Sequence, residues 1–359
     1  MAIEEEIKEL EEELVTTKYN KATQHHIGKI KAKLARLKEQ LTKSASVGKA
    51  QGLGYGLKKT GDATVILVGF PSVGKSTLLN QLTNAESPVG AYEFTTLNVV
   101  PGMMNYNCAK IQVFDVPGLV SGAAGGKGRG KEVLSVIRNA DLVVLLIDAT
   151  KPEQLERMET ELYGANFRLD QSEPAVKIKK RMYGGITIDK SSSVKLDNQS
   201  IKDVLTEFGY LNVHVSIRGN VSFDDFLDAV INNRKYVPAL RILNKIDAVE
   251  KTPKVKHDLT ISADKGKNID DLRKLIFKKL KFIRIFLKKR GKKADMEEPL
   301  IIRKGATVGG VCKQLHQSFL KRFRYAEIWG PSAKFDAQKV HLKHVLKDSD
   351  VLALILEKE

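Results

Sequence analysis

The residues with the most specific chemistry form a glycine-rich segment, Gly69 to Ser76, that fits the pattern G-x-x-x-x-G-K-[ST]. An apolar run precedes it and a helical pattern follows it, so backbone amides at the N-terminus of a helix can surround a phosphate. Lys75 can neutralise β- and γ-phosphate oxygens, and the Ser76 hydroxyl can bind Mg²⁺. A plain glycine turn with an exposed lysine is the alternative, which the flanking elements disfavour. The residues predicted to bind phosphate are Gly69, Ser72, Val73, Gly74, Lys75, Ser76 and Thr77.

A second polar group, Asp115-Val-Pro-Gly118, follows another apolar run. A carboxylate at the carboxyl end of a strand beside the glycine-rich segment can hold Mg²⁺ through water. Gly118 can offer its amide to a γ-phosphate because no side chain obstructs the approach. We assign Asp115 to metal and nucleotide binding and Gly118 to nucleotide binding and catalysis. The D-x-P-G pattern alone is also a common turn.

Asn244-Lys-Ile-Asp247 supplies a group that can recognise a base. Guanine presents N1–H and N2–H₂ side by side, and the carboxylate of Asp247 can accept from both. Adenine lacks this pair and would leave the carboxylate unpaired, which is costly. Lys245 can lie along the base, and Asn244 can tie this loop to the glycine-rich segment. Ser262 and Ala263, after a later apolar run, can bring a backbone amide to guanine O6.

From Thr64 onward, apolar strands alternate with helices, which is typical of an α/β fold with a mostly parallel, doubly wound sheet. Each polar group above follows such a strand, and open α/β sheets bind ligands at the carboxyl ends of their strands. The four groups occur in order, so their joint signal is much stronger than any one of them.

The spacing of the strands divides the chain into domains. About 90 residues separate Ala149 from Ala239, whereas a strand–helix–strand unit takes roughly 30. The surplus predicts an inserted α+β subdomain with a hairpin at Gly184-Gly185 and a helix capped by Ser222. The predicted domains are a helical N-terminal hairpin region at 1–60, a nucleotide-binding domain at 61–163 and 236–294, the insert at 164–235 and a β-grasp domain at 295–359.

Composition excludes several classes of protein. The chain has 60 Lys+Arg against 43 Asp+Glu, a formal net charge of +17 and 42% hydrophobic residues, values of a globular protein and not of a disordered one. No apolar run approaches the length of a membrane span, and the acidic N-terminus is unlike a secretory signal. Two cysteines form neither a disulfide framework nor a zinc site. We expect a cytoplasmic protein with an anionic partner and no membrane contact.

The series GFPSVGKST, DVPG, NKID and SAD resembles the Obg-like GTPases of the translation-factor type. The resemblance narrows to the developmentally regulated GTP-binding (DRG) proteins because of four further features: YEFTTL (Tyr92 to Leu97), GLVSGAAGGKGRG, the insert and the C-terminal module. That C-terminal module resembles a TGS domain. The resemblance covers nearly all of the chain and implies a P-loop GTPase that hydrolyses GTP with Mg²⁺ and associates with ribosomes and RNA in translation. A monomer and a stabilising protein cofactor are further expectations.

The resemblance also implies a switch threonine that joins Mg²⁺ and acts in catalysis, Thr96, with Thr95 as the adjacent alternative. Where Ras-like enzymes carry a glutamine that orients the attacking water, this chain has Leu119, so intrinsic hydrolysis should be slow. Related GTPases that use K⁺ often carry an asparagine in the glycine-rich loop. Ser72 stands there, so potassium dependence stays open.

Basic segments lie outside these motifs. Lys278 to Lys293 has nine Lys/Arg and no acid, and its apolar residues predict that part of it is a docked amphipathic helix. Such a run is either a solubilising face or a footprint of phosphate contacts. The basic stretch Lys18 to Lys59 is likewise either a bundle face or an RNA-binding arm, and the insert adds VKIKKR. Two functions follow: a GTPase switch on ribosomal RNA, or an RNA-binding or ribosome-assembly module that holds GTP structurally with negligible turnover.

Overall fold

The computed structural model describes residues 2–17, 23–44, 60–83, 100–116, 130–289 and 292–357. The helices are α1 (Ala2–Thr16), α2 (Gln24–Ser44), α3 (Lys75–Leu82), α4 (Gly130–Ile137), α5 (Gln154–Gly164), α6 (Asn198–Glu207), α7 (Phe223–Ile231), α8 (Ile269–Lys279), α9 (Val308–Leu315) and α10 (Gln317–Lys321). The strands are β1 (Ala63–Val68), β2 (Val100–Tyr106), β3 (Ala109–Asp115), β4 (Leu142–Asp148), β5 (Phe167–Leu169), β6 (Val176–Lys180), β7 (Ile186–Lys190), β8 (Val213–Ile217), β9 (Lys235–Val237), β10 (Ala239–Asn244), β11 (Leu259–Thr260), β12 (Phe282–Leu287), β13 (Leu300–Arg303), β14 (Phe323–Trp329), β15 (Gln338–Val340) and β16 (Asp350–Leu356). They fall into two compact units, one within residues 1–54 and 166–236 and the other within residues 55–165 and 237–359. Among these helices, none is long and apolar enough to cross a membrane.

A six-stranded sheet in the second unit carries the loops singled out above, in the order β11-β10-β4-β1-β3-β2. Neighbouring strands are parallel except β2, which runs antiparallel to β3. β1 and β4 are buried along their whole length, as expected for strands covered on both faces. The mostly parallel sheet confirms the fold class. The sequence does not predict the edge strand β2, because VPGMMNY contains Pro and Gly.

The first unit joins α1 and α2 to the insert, which the sequence analysis assigns to separate domains at 1–60 and 164–235. Ala32 of α2 belongs to the same buried apolar cluster as the core of the insert. Ion pairs join Lys31 to Asp224 at 2.9 Å and Arg36 to Glu207 at 2.8 Å. Basic residues of α2 therefore form ion pairs with acidic residues of the same unit. This favours the interpretation of the basic stretch as a bundle face over that of an RNA-binding arm.

The insert contains a three-stranded sheet in the order β6-β8-β7. β6 is antiparallel to β8, and β7 is parallel to it. The hairpin predicted at Gly184-Gly185 is therefore wrong, because β6 and β7 do not pair with each other. The sequence of β8, VHVSI, alternates buried and half-buried residues, and this more apolar strand takes the central position.

Helix α7 begins with the predicted capping box between Ser222 and Asp225. Farther along, the buried carboxylate of Asp228 accepts from Arg168 Nε at 2.6 Å and Nη2 at 2.9 Å, and from Arg234 Nε at 2.6 Å. One carboxylate is thus shared by two guanidinium groups inside the first unit.

A five-stranded sheet, β13-β12-β16-β14-β15, forms the C-terminal part; α9 contributes buried residues to its core, and α10 packs against that core. β12 pairs with β13 and β16, so this domain begins at Phe282 and not at residue 295. The amphipathic helix predicted for part of Lys278 to Lys293 is wrong beyond Lys279. α8 ends at Lys279, Lys281 takes a φ of 56°, and FIRIFL continues as a strand. Its β-branched and aromatic residues favour that conformation.

Candidate functional site

The glycine-rich loop connects β1 to α3. Ser72 and Gly74 have φ of 63° and 92°, and α3 begins at the next residue, Lys75. A Cβ on Gly74 would lie 2.5 Å from Asn244 Nδ2, so glycine is needed for the backbone conformation and for the close approach. Because the N-cap Gly74 has no side chain, it leaves the first amides of α3 without a side-chain acceptor. Such a helix N-terminus attracts anions.

Lys75 is a buried cation inside this loop, with 8% of its surface exposed. Its Nζ donates to the carbonyl oxygens of Gly69 at 3.1 Å and Phe70 at 3.0 Å. Burial lowers the pKa of Lys75, and the charge of Asp115 opposes that shift. A cation removed from water in this way gains strongly from an anionic ligand.

Ser76 and Asp115 bring two oxygens together at the ends of neighbouring elements. Asp115 ends β3, which pairs with β1, and Ser76 lies in the first turn of α3. The Ser76 hydroxyl donates to Asp115 Oδ2 at 2.5 Å. No group of three or more His, Cys, Asp or Glu side chains that could hold a metal occurs among the described residues. A metal at this position would therefore depend on hydroxyl and carboxylate oxygens, water and a ligand.

Asn244 at the end of β10 connects two loops. Its Nδ2 donates to Val73 O at 2.8 Å, and its Oδ1 accepts from the amide of Ala263 at 2.9 Å. Asn244 is 2% exposed, so both bonds are shielded from water. The side chain fixes the glycine-rich loop and the Ser262-Ala263 loop relative to each other.

Lys245 is held by a group that the sequence analysis does not single out. Its φ is 62°, and its Nζ donates to Ser72 O at 2.7 Å and to Asp148 Oδ2 at 2.8 Å. Asp148 Oδ1 accepts from the amide and hydroxyl of Thr150 at 2.9 and 2.7 Å. Burial acts to raise the pKa of Asp148, but the hydrogen bonds from Lys245 and Thr150 and the Lys245 charge outweigh it and hold the pKa below 3.8. Asp148 directly follows the apolar run Leu142 to Ile147, and an acid at the end of such a run is the signal that could have identified it.

Asp247 lies across from the Ser262 loop, and Lys265 Nζ lies 3.5 Å from its Oδ2. The Ser262 hydroxyl, the Asp247 amide and Lys265 lower the pKa of Asp247 below 3.8. This carboxylate is therefore ionised at neutral pH and can accept two hydrogen bonds.

These loops enclose a cavity of about 520 Å³, a size typical of small-molecule sites. Apart from Gly69, Val73 and Asp115, all of the sequence-predicted site residues that the structure describes line it. The predicted Thr96 and Gly118, with Thr95 and Leu119, lie outside the described residues. The arrangement combines a helix N-terminus and a cation at one end with an ionised carboxylate at the other.

Comparisons with known proteins identify the families to which parts of the chain are similar. Residues 64–179 match the sequence family described as a 50S ribosome-binding GTPase, residues 183–282 match the C-terminal region of that domain, and residues 283–356 match the TGS domain. The last match begins next to Phe282, where the C-terminal sheet begins. The fold is thus a P-loop GTPase fold with a C-terminal TGS domain, as the sequence predicted.

Curated relatives match over the full length. A GTP-binding protein of Methanocaldococcus jannaschii is 50% identical, over 100% of this chain and 94% of its own. A developmentally regulated GTP-binding protein 1 homologue of Dictyostelium discoideum is 42% identical, over 99% of this chain and 100% of its own. The human developmentally regulated GTP-binding protein 2 is 38% identical, over the same shares of the two chains.

Proposed function

Because the chain belongs to the developmentally regulated GTP-binding protein family, we propose that it binds GTP in this cavity and hydrolyses it to GDP and phosphate. The bridging Asn244 is the observation that carries the proposal, because one buried side chain fixes the phosphate loop against the base loops. The phosphates then lie against the N-terminus of α3 and Lys75. The base lies between Lys245, Asp247 and the Ser262-Ala263 loop.

Guanine selection follows from the ionised Asp247. Its carboxylate accepts from N1–H and N2–H₂ of guanine, whereas adenine leaves a charged acceptor unpaired. The amide of Ala263 donates to Asn244 Oδ1, so to reach guanine O6 it must share or exchange that bond when the base binds. GTP and GDP are therefore the expected ligands.

Magnesium fits the oxygens beside the phosphate loop. The Ser76 hydroxyl and the Asp115 carboxylate are hard donors 2.5 Å apart, which suits Mg²⁺ bound to Ser76 directly and to Asp115 through water. Thr96 is the proposed third protein ligand. Bound Mg²⁺ would neutralise charge on the β- and γ-phosphates.

For catalysis, we assign charge stabilisation to Lys75 and sensing of the γ-phosphate to Thr96 and the amide of Gly118. Leu119 cannot orient a water molecule, so the intrinsic rate should be slow until a partner or K⁺ supplies the missing group.

We propose ribosomal RNA as the second partner and a cytoplasmic switch in translation as the role, assisted by a stabilising protein cofactor. The match to a ribosome-binding GTPase domain supports this, as does the net charge of +17, because nucleic acids bind basic surfaces. Leu119 keeps the alternative function open, that of an RNA-binding or ribosome-assembly module that holds GTP structurally with negligible turnover.

Nucleotide binding is tested by titrating the protein with GDP and ATP. We expect strong preference for GDP in the wild type, loss of that preference in Asp247→Asn, and loss of binding in Lys75→Ala. Equal affinity for ATP in the wild type would refute guanine selection. Single-turnover hydrolysis is then measured with and without ribosomes and K⁺. No acceleration under any condition would favour the non-hydrolysing alternative.

A further inference from the structure

Three strongly exposed apolar side chains lie at one end of the insert's sheet. Met182 and Tyr183 follow β6 and are 94% and 84% exposed, and Leu211 precedes β8 and is 69% exposed. Two hydrogen bonds to Asn212, one to its backbone and one to its side chain, hold these segments together. The Arg181 amide donates to Asn212 O, and the Gly185 amide donates to Asn212 Oδ1, both at 2.9 Å. The apolar tip is thus anchored to the sheet.

Cations surround this tip. Val176 and Ile178 pack against the core of the insert, so Lys177 and Lys179 lie on the opposite, exposed face of β6. Arg181 follows at the tip. None of these three cations has an ion pair with a described residue. The acid on β7, Asp189, is separated from β6 by β8 and is already paired with Arg218 at 2.5 Å.

Lys180 and Tyr210 add a further cation and an aromatic ring to this surface. Lys180 Nζ lies 5.4 Å from the centre of the Tyr210 ring, so this cation stays at the tip beside an aromatic side chain. The ring of Tyr183 has no such neighbour among the described residues. Gly184 and Gly185 both have positive φ, and a Cβ at either position would have no heavy atom within 4 Å, so a ligand can approach the backbone beside Tyr183 closely.

From these observations we infer that the tip formed by Lys177, Lys179, Lys180, Arg181, Met182 and Tyr183 binds single-stranded RNA. The cations contact backbone phosphates, and an unpaired base stacks on the free ring of Tyr183. The inference rests on the proposed association with RNA and assigns it a surface. An exposed Met and Tyr also suit a protein partner, but an unneutralised row of cations around them favours a polyanion.

The test uses the full chain and a fluorescein-labelled, unstructured 12-nucleotide RNA, with affinity measured by anisotropy at several salt concentrations. Tyr183→Ala should weaken binding about 5- to 150-fold at an unchanged salt dependence, because it removes stacking worth about 1–3 kcal/mol. Tyr183→Phe should bind like the wild type. Neutralising three cations (K177Q, K179Q and R181Q) should flatten the slope of log K against log salt by about 2.

A matched control neutralises three other exposed lysines of the second unit (K251Q, K254Q and K256Q). It changes net charge equally and should leave the affinity and slope near those of the wild type. GDP binding and the thermal midpoint show that each variant is folded. If the wild type binds RNA and the tip variants bind equally well, the inference is wrong and the proposed function stands.

Two other outcomes would also overturn the assignment. A wild type that binds neither this RNA nor ribosomes would refute the RNA association itself. Retained RNA binding with lost ribosome binding in Tyr183→Ala would mean that the tip contacts protein.

Discussion

Replacing Asp148 with asparagine removes the negative charge that holds Lys245 and leaves the size of the side chain almost unchanged. The Asp148 side chain is 10% exposed and its Oδ2 lies 2.8 Å from Lys245 Nζ. In Asp148→Asn, the remaining oxygen can still accept from Thr150, but the new amide cannot accept from an ammonium. Lys245 then keeps Ser72 O as its one described acceptor.

The expected loss of interaction free energy follows from the solvent exposure of Asp148 and Lys245. A hydrogen bond to a charged group contributes about 1.5–3 kcal/mol, and Lys245 is 39% exposed, so solvent screening reduces the loss to about 1–2 kcal/mol. If Lys245 must be ordered when guanine binds, the Kd for GDP rises about 5- to 30-fold. Removing a negative charge also weakens the long-range repulsion between the protein and an anionic nucleotide. The titration is therefore done in about 0.3 M salt, where long-range electrostatic interactions are screened.

A fluorescent GDP analogue in a stopped-flow instrument gives association and dissociation rates for this variant, and we expect faster dissociation. Thr150→Val removes one of the bonds to Asp148 and should shift the Kd in the same direction by a smaller amount. In a double-mutant cycle with Lys245→Met, the effect of Asp148→Asn should disappear. A folded Asp148→Asn protein that binds GDP within twofold of the wild type would refute the positioning role.

Other variants test the remaining parts of the molecule. Gly74→Ala should abolish GDP binding in a folded protein, because the new Cβ would meet Asn244 Nδ2 at 2.5 Å and strain the backbone at φ 92°; unchanged binding by calorimetry would contradict this. Asp228→Ala takes the shared carboxylate away from two guanidinium groups and should destabilise the first unit by about 3–5 kcal/mol in urea unfolding, while the GDP site in the second unit still binds. Asp348 has a pKa below 3.8 because of Arg284, so its contribution, about 0.5–1 kcal/mol in this exposed pair, is present above that pH and lost as the pH falls through the folded pKa. The stability difference between wild type and Asp348→Asn should be constant from pH 8 to 5 and shrink below pH 4; a constant difference at pH 3 would contradict the pairing.

The loops of the site are predictable because each is a short pattern at the end of an apolar strand. Lys75, Ser76 and Asn244 can be assigned from spacing alone, since parallel strands bring their carboxyl ends to one edge. Asp148 is harder to assign, because its role depends on Lys245, which lies 97 residues away in the chain. The acid at the end of β4 becomes informative only once β4 and β10 are known to be neighbours.

The errors in the fold have a similar cause. A glycine pair between two short strands predicts a hairpin from local sequence, but β8, which comes later in the chain, lies between β6 and β7. In the segment Lys278 to Lys293, the apolar residues fit the alternation of a strand and the periodicity of a helix over the same few residues. The choice is made by hydrogen bonds from β12 to β13 and β16, which a local pattern cannot contain.

The net charge of +17 illustrates the same limit for function. Cations on α2 and on β6 look alike in the sequence, but Lys33 and Lys38 of α2 form ion pairs with Glu6 and Glu11, both at 2.6 Å. Lys177 and Lys179 of β6 have no ion pair with a described residue. Only unpaired cations release counterions and bind phosphates at full strength. The first unit should therefore bind a polyanion through β6 and its tip, and neutralising exposed cations of α2 should leave the salt dependence of RNA binding unchanged.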